Sequence, residues 1–311
     1  MQLHNTSGRW QLGLTLSLLA VFLWGILPIA LTIMLEVLDV YTLTWFRFAI
    51  AFALLAIYLT ARQQLPNPQT LYSTSLKLLA IATLFLGLNY LFYLQGLAQT
   101  SPTNAQVFIQ LAPVLFGVGA LAVFKERYTY KQWLGLGILT LGFALFFHEK
   151  LKTVLTSQST YLLGNCIIIL GAIAWAIYAL AQKQLLQKFP SSSIMLIIYG
   201  GCMLLFTPFS APQILFTLSP YHLSILLFCG LNTLIAYGAL AEALDHWEAS
   251  RVSAVLALTP IVTVISIWAV SWLTPTLIPP DHLTLLGGFG AILVMIGSMA
   301  VALGKKQLTP N

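Results

Sequence analysis

The residues able to do chemistry in this chain are scattered singly through long apolar runs, and most are uncharged. Asn89, Tyr90 and Tyr93 stand together in LGLNYLFYLQG. Gln106 and Gln110 lie four residues apart, a spacing that puts both amides on one helix face. Trp175 precedes Tyr178 by three residues, while Trp24, Asn232 and Tyr237 sit within other apolar runs. Amides and aromatic rings of this kind can hydrogen-bond and stack around a small amphipathic solute. They can also tie helix to helix, at about 0.6 kcal/mol per bond in a bilayer. Taken one at a time they read as packing. Taken as a set at one depth they read as substrate-binding.

Charge adds little to that set. Arg47 is the clear charge inside an apolar run, about two turns, or roughly 9 Å, from its outer end. It can snorkel to headgroups or hold carbonyls of a neighbouring helix; alternatively it is an outer-mouth charge that docks an anionic substrate group. Glu242 falls near the end of its run with Asp245, Glu248 and Arg251 close by, an interfacial cluster rather than a proton relay. Glu126, between Lys125 and Arg127, is placed to cap or brace a turn. His4, His148, His222, His246 and His282 all fall in loops or at run ends, and neither Gly-x-Ser-x-Gly nor HExxH occurs. No nucleophile–base pair or facing acids can be assembled, so an enzyme is not expected, nor a metal or cofactor. Cys166, Cys202 and Cys229 read as small core residues.

The elements that carry these residues follow from composition. Hydrophobic residues make up 59% and charged residues 7%, against about 25% charged in ordinary soluble domains. A soluble fold could not clothe its surface with so few charges. Ten apolar runs are long enough, or nearly so, to span a bilayer: 11–34, 42–61, 75–97, 103–124, 131–148, 161–183, 193–210, 221–244, 250–273 and 283–304. Their uniform apolarity fits helices and not barrel strands. The expected fold is therefore an all-α membrane protein of ten transmembrane helices.

Lysine and arginine set the orientation. With the N-terminus inside, Arg9, Arg62, Lys77, Lys125, Arg127, Lys131, Lys183, Lys188, Arg251, Lys305 and Lys306 fall on the cytoplasmic side. Lys150 and Lys152 alone face out. That asymmetry predicts a multi-pass protein of the cytoplasmic (inner) membrane with both termini cytoplasmic. The net charge of +6 is explained by these loops and gives no ground for a nucleic-acid partner.

The chain also repeats itself. AVFLWG (20–25) matches GAIAWA (171–176), aligning Trp24 with Trp175. The spacing from Tyr90 to Pro113 equals that from Tyr237 to Pro260, and GLGILTLG (135–142) matches GAILVMIG (290–297). Residues 1–150 and 151–311 thus form two repeats of five spans each. Five is odd, so the second repeat must enter the membrane from the other side, giving two inverted five-helix repeats. Such repeats place a binding site near the bilayer midplane, between the halves. Pro113 and Pro260 each remove a backbone bond in mid-span and make gating kinks.

LLAVFLWGILPIA (18–30), WFRFAIA (45–51) and the stretch from Leu97 to Gly142, with its P…A-V-F-K-E-R…G order, resemble the drug/metabolite transporter superfamily with two EamA-type domains. The second half departs from the pattern: WLTPTLIPPDHL (272–283) lacks the Glu-Arg pair. The resemblance covers nearly the whole chain and implies export or exchange of small metabolites such as amino acids.

The reading that joins these observations is a secondary transporter alternating access to a central cavity, with a small-molecule substrate and the lipid bilayer as its partners. A channel or facilitative pore without alternating access is the alternative. The sequence leaves oligomeric state open and is compatible with a monomer.

Overall fold

The computed structural model describes residues 6–66, 76–126, 128–148, 159–273 and 284–303. Among them the regular elements are all helical: α1 Trp10–Leu35, α2 Val40–Ala61, α3 Leu76–Gln99, α4 Pro102–Ile109, α5 Leu111–Val123 and α6 Tyr130–Phe146, then α7 Ser159–Leu185, α8 Ser191–Phe206, α9 Pro220–His246, α10 Ala249–Leu256, α11 Thr259–Leu273 and α12 Leu285–Leu303. Of the sequence features named above, His4, Arg127, Lys150, Lys152, His282, Lys305 and Lys306 lie outside the described residues.

Among the described residues, nine helical segments are long and apolar enough to cross a membrane, counting α4–α5, α10–α11, and α8 with the 3₁₀ turn that follows it as one each. The fifth expected span is the 17-residue α6, about 25 Å at the usual helical rise. In the seventh span the α-helix ends at Phe206 and a 3₁₀ turn at Thr207–Phe209 carries the segment on, with Pro208 and Pro212 opening this turn and the next, at Pro212–Thr217. Some helix starts are fixed by side chains. Asp39 accepts from the N–H groups of Tyr41 and Thr42, at 2.9 and 3.0 Å, and Thr129 forms a capping box with Gln132.

The fourth and ninth expected spans are interrupted at matching places. α4 ends at Ile109 and α5 begins at Leu111; α10 ends at Leu256 and α11 begins at Thr259. Ile109 and Leu256 stand four residues before Pro113 and Pro260. A proline has no N–H for the carbonyl four residues back, and its ring crowds that carbonyl. The break falls where this chemistry requires it in both halves.

Helices pack through small residues. α6 lies against α12, with Gly135 facing Gly297 and Gly142 facing Gly290. This crossed order makes the two helices antiparallel. A Cβ on Gly297 would sit 2.4 Å from the Leu139 nitrogen, so the backbones meet with no room for side chains. α3 packs on α7 and α1 on α9. Asn89 Nδ2 donates to the Gly171 carbonyl at 3.0 Å in the first pair. Asn232 Nδ2 donates to the Leu23 carbonyl at 2.7 Å in the second.

One end of the bundle gathers both described chain ends. The Ser7 N–H donates to the Asp245 carbonyl at 3.0 Å, and Arg251 Nη1 donates to the Ala302 carbonyl at 3.1 Å. Glu126 and Lys183 lie at this same end.

Candidate functional site

The breaks in α4–α5 and α10–α11 border a central cavity of about 90 Å³, room for several waters. Its wall is contributed by both halves: Trp24, Arg47, Asn89, Tyr90, Tyr93, Gln106, Gln110 and Pro113 from the first, Trp175, Tyr237, Leu256 and Thr259 from the second. The sequence-expected residues therefore converge, with three exceptions. Tyr178 is fully buried behind the wall, its hydroxyl 3.7 Å from Met195 Sδ and its ring packed on Trp175 and Tyr237. Asn232 lies off the wall, its Nδ2 engaged in the α1–α9 contact. Pro260 breaks its helix from one residue beyond Thr259, outside the wall.

Aromatic rings form a connected lining. Trp24 meets Trp175 edge to face at 5.9 Å between centroids, and Tyr237 at 5.0 Å. Tyr90 and Tyr237 lie 5.6 Å apart. Such contacts are worth about 0.5–1.5 kcal/mol each beyond the area they bury. The amides are partly spoken for. Gln106 Nε2 donates to the Trp24 carbonyl and to Thr263 Oγ1, at 3.3 and 3.1 Å. Asn89 Oδ1 accepts from the Tyr237 hydroxyl at 3.5 Å. Gln110 Oε1 is buried and accepts no hydrogen bond among the described residues.

Arg47 is buried, and among the described residues it donates to no helix carbonyl. It is 3% exposed and stands on the cavity wall. Its Nε donates to Thr233 Oγ1 at 3.1 Å, and its guanidinium lies 4.3 Å from the Tyr90 ring centroid. Thr233 Oγ1 also accepts from the Tyr90 hydroxyl at 3.3 Å and donates to the Cys229 carbonyl at 3.0 Å. Sequence reasoning missed Thr233. It sits one turn before Tyr237, and that helical register was the signal available.

Outside the cavity, Glu126 has a different role from the turn-bracing one expected. It reaches across to the second half, where its carboxylate accepts from the N–H groups of Ala249 and Ser250 at 3.0 and 3.1 Å. Lys183 Nζ lies 3.3 Å from the same carboxylate and donates to the Trp247 carbonyl at 3.4 Å. Lys183, expected in a loop, is 1% exposed. Nearby, burial pushes the Tyr128 phenol up to about 12. Glu242 pairs with His246 at 3.4 Å and accepts from the Ser191 hydroxyl, so it stays away from the cavity.

Comparison with known proteins fits this arrangement. A crystal structure superposes with a TM-score of 0.70 over 95% of this chain and 99% of its own, at 16% identity, which shows a shared fold. An inner membrane transporter of Escherichia coli (strain K12), YhbE, described as uncharacterized, is 36% identical over 95% of this chain and 92% of its own length. An uncharacterized transporter of Haemophilus influenzae (strain ATCC 51907 / DSM 11121 / KW20 / Rd) is 34% identical over 96% of each. At 24% identity, over 91% of this chain and 92% of its own, stands a protein of Escherichia coli (strain K12) called a probable amino-acid metabolite efflux pump. The EamA-like transporter family model matches twice, over residues 11–148 and 162–303, one match for each half. With both halves matched and relatives above one-third identity along the whole length, the chain belongs to the EamA-like transporter family.

Proposed function

We propose that this protein is a ten-span secondary transporter of the inner membrane. On this reading, two inverted five-helix repeats, residues 1–150 and 151–311, rock against each other around the central cavity. The observation that carries it is pairwise: residues matched by the internal repeat meet at the cavity, Trp24 with Trp175 and Tyr90 with Tyr237. Such meetings fit a pseudo-two-fold axis running through the site. The antiparallel pairing of α6 with α12 supports the inversion, because these helices close the two repeats. The tenth span would be α6, short but within the range of crossing helices.

Alternating access then follows from the shared site. The broken helices at Pro113 and Pro260 are where each half bends. Both described chain ends, at Ser7 and Ala302, lie at one end of the bundle, and on this reading the surplus of lysine and arginine puts that end in the cytoplasm. The solute is a small amphipathic metabolite, related to amino acids as the efflux-pump relative's name would have it. Aromatic walls and a few amides supply its contacts.

Counterflow in proteoliposomes tests the mechanism. A preloaded solute should accelerate uptake of its labelled copy, with saturation. Non-saturating flux or single-channel current would replace the carrier by a pore.

A further inference from the structure

Arg47 is a buried cation, and among the described residues it forms no ion pair. Burying a charge without a counter-charge is costly, and proteins meet that cost by pairing it. Among the described residues, acids are engaged or exposed away from Arg47: Glu126 with Lys183, Glu242 with His246, Glu248 with Arg251, Asp39 on the α2 N-terminus, and Glu36 at the surface. Among the described residues, no acid lines the cavity. Thr233 takes only Nε, and the Tyr90 ring covers one face, so the terminal guanidinium nitrogens are left for an occupant. On the same wall, Gln110 Oε1 is a second unanswered group, in a side chain 6% exposed.

We infer that the cavity takes an organic acid of net charge −1, with its carboxylate on Arg47, a hydrogen-bond donor on Gln110 Oε1 and an apolar or aromatic body against Trp24 and Trp175. This rests on the transporter reading for its direction of use, but the binding chemistry stands on the cavity alone. A free zwitterionic amino acid fits poorly. Its ammonium would enter a cavity that already holds one positive charge, with neither acid nor histidine among the described lining residues to receive it. An acid whose amine is acylated, or replaced by hydroxyl, keeps the donor and loses the charge. A guanidinium is also the cation best shaped to grip a carboxylate with two parallel bonds.

The experiment is binding in detergent, read by quenching of tryptophan fluorescence and by thermal shift, with a matched panel on one side chain. N-acetylphenylalanine and 3-phenyllactate carry the acid, phenylalanine is the zwitterion, phenylalaninamide the cation and N-acetylphenylalaninamide the neutral form. The acids should bind at least tenfold more tightly than the other three. Arg47→Gln should remove that preference, and Arg47→Lys should keep part of it. Gln110→Glu leaves Arg47 in place, supplies an internal counter-charge, and should shift preference from the acids toward the zwitterion. The inference is overturned if phenylalanine or its amide binds as tightly as the acids, if neither acid binds, or if both Arg47→Gln and Gln110→Glu leave the ranking unchanged. Binding of the acids without saturable counterflow would sink the transporter reading alone, whereas saturable counterflow of phenylalanine in preference to the acids would sink this inference alone.

Discussion

The indole of Trp24 stands edge to face against the indole of Trp175, 5.9 Å apart and inclined at 83°. The two residues hold the same place in the two halves of the sequence, so their contact is a contact between halves. Tyr90 and Tyr237 repeat the relationship at 5.6 Å. Residues so paired cannot keep both contacts while one half turns against the other, since ring attraction falls off within a few ångströms. On the proposed rocking mechanism, the lining of the cavity and the interface that slides would be built from the same side chains.

Thr233 holds Arg47, the one cation of that lining among the described residues, in place. Thr233→Val keeps the shape and deletes the acceptor for both Arg47 Nε and the Tyr90 hydroxyl. A buried donor left without a partner costs about 1–3 kcal/mol. The variant should melt several degrees lower in detergent. Its affinity for the cavity ligand should also drop by about tenfold as the guanidinium loses its orientation, since a tenfold change is about 1.4 kcal/mol. Titration of tryptophan fluorescence measures the second effect separately from the first.

Glu126 and Lys183 join the halves at the end of the bundle that holds both described termini. Removing one member of a buried pair leaves an uncompensated charge, at about 3–5 kcal/mol. Lys183→Met and Glu126→Gln should each lower the melting temperature markedly. The double variant should be more stable than the sum of the two losses allows, because neither charge remains buried alone. Additive losses across this cycle would mean that the two side chains act independently. If the contact also seals the cavity on that side, the double variant should exchange substrate faster.

How much of this was legible in the sequence differs by feature. Span positions followed from apolar runs, because lipid leaves the backbone no option but helix. The helix breaks were legible too, since Pro113 and Pro260 act on their own local backbone. Convergence of Trp24, Asn89, Gln106 and Trp175 on one cavity could be read from the repeat, which carries three-dimensional information in one dimension. The failures are cross-helix partnerships. Nothing local in the sequence says that Asn232 bonds to Leu23, or that Glu126 caps a helix more than a hundred residues away. Tyr178 was misplaced because three-residue spacing from Trp175 puts it near that face without fixing how far its ring reaches.

The glycines of α6 and α12 allow a sharp contrast. A methyl group on Gly297 would meet the Leu139 nitrogen at 2.4 Å and the Gly135 carbonyl at 2.7 Å, all backbone that cannot turn aside. Gly137, on the same helix as Gly135, faces open space. Gly297→Ala should destabilise by about 1–3 kcal/mol through overpacking. Gly137→Ala should be neutral or gain up to about 1 kcal/mol, from helix propensity alone. Thermal unfolding of the two variants in one detergent decides it; equal effects would mean that the helices do not approach so closely.

The prolines test the mechanism most directly. Pro113→Ala and Pro260→Ala each restore an N–H that can reach the carbonyl of Ile109 or Leu256, closing the interruption in the helix. Stability should hold or rise, because an interior helix bond is gained and proline is about 3 kcal/mol less favourable than alanine there. Turnover should fall several-fold if bending at these points accompanies the exchange of cavity access. Ligand affinity should change less for Pro260→Ala than for Pro113→Ala, because Pro113 lines the cavity and Pro260 does not. Initial counterflow rates, taken beside melting temperatures for the same preparations, separate the two effects. A variant that gains stability and keeps full turnover would show that the breaks shape the cavity without serving its movement.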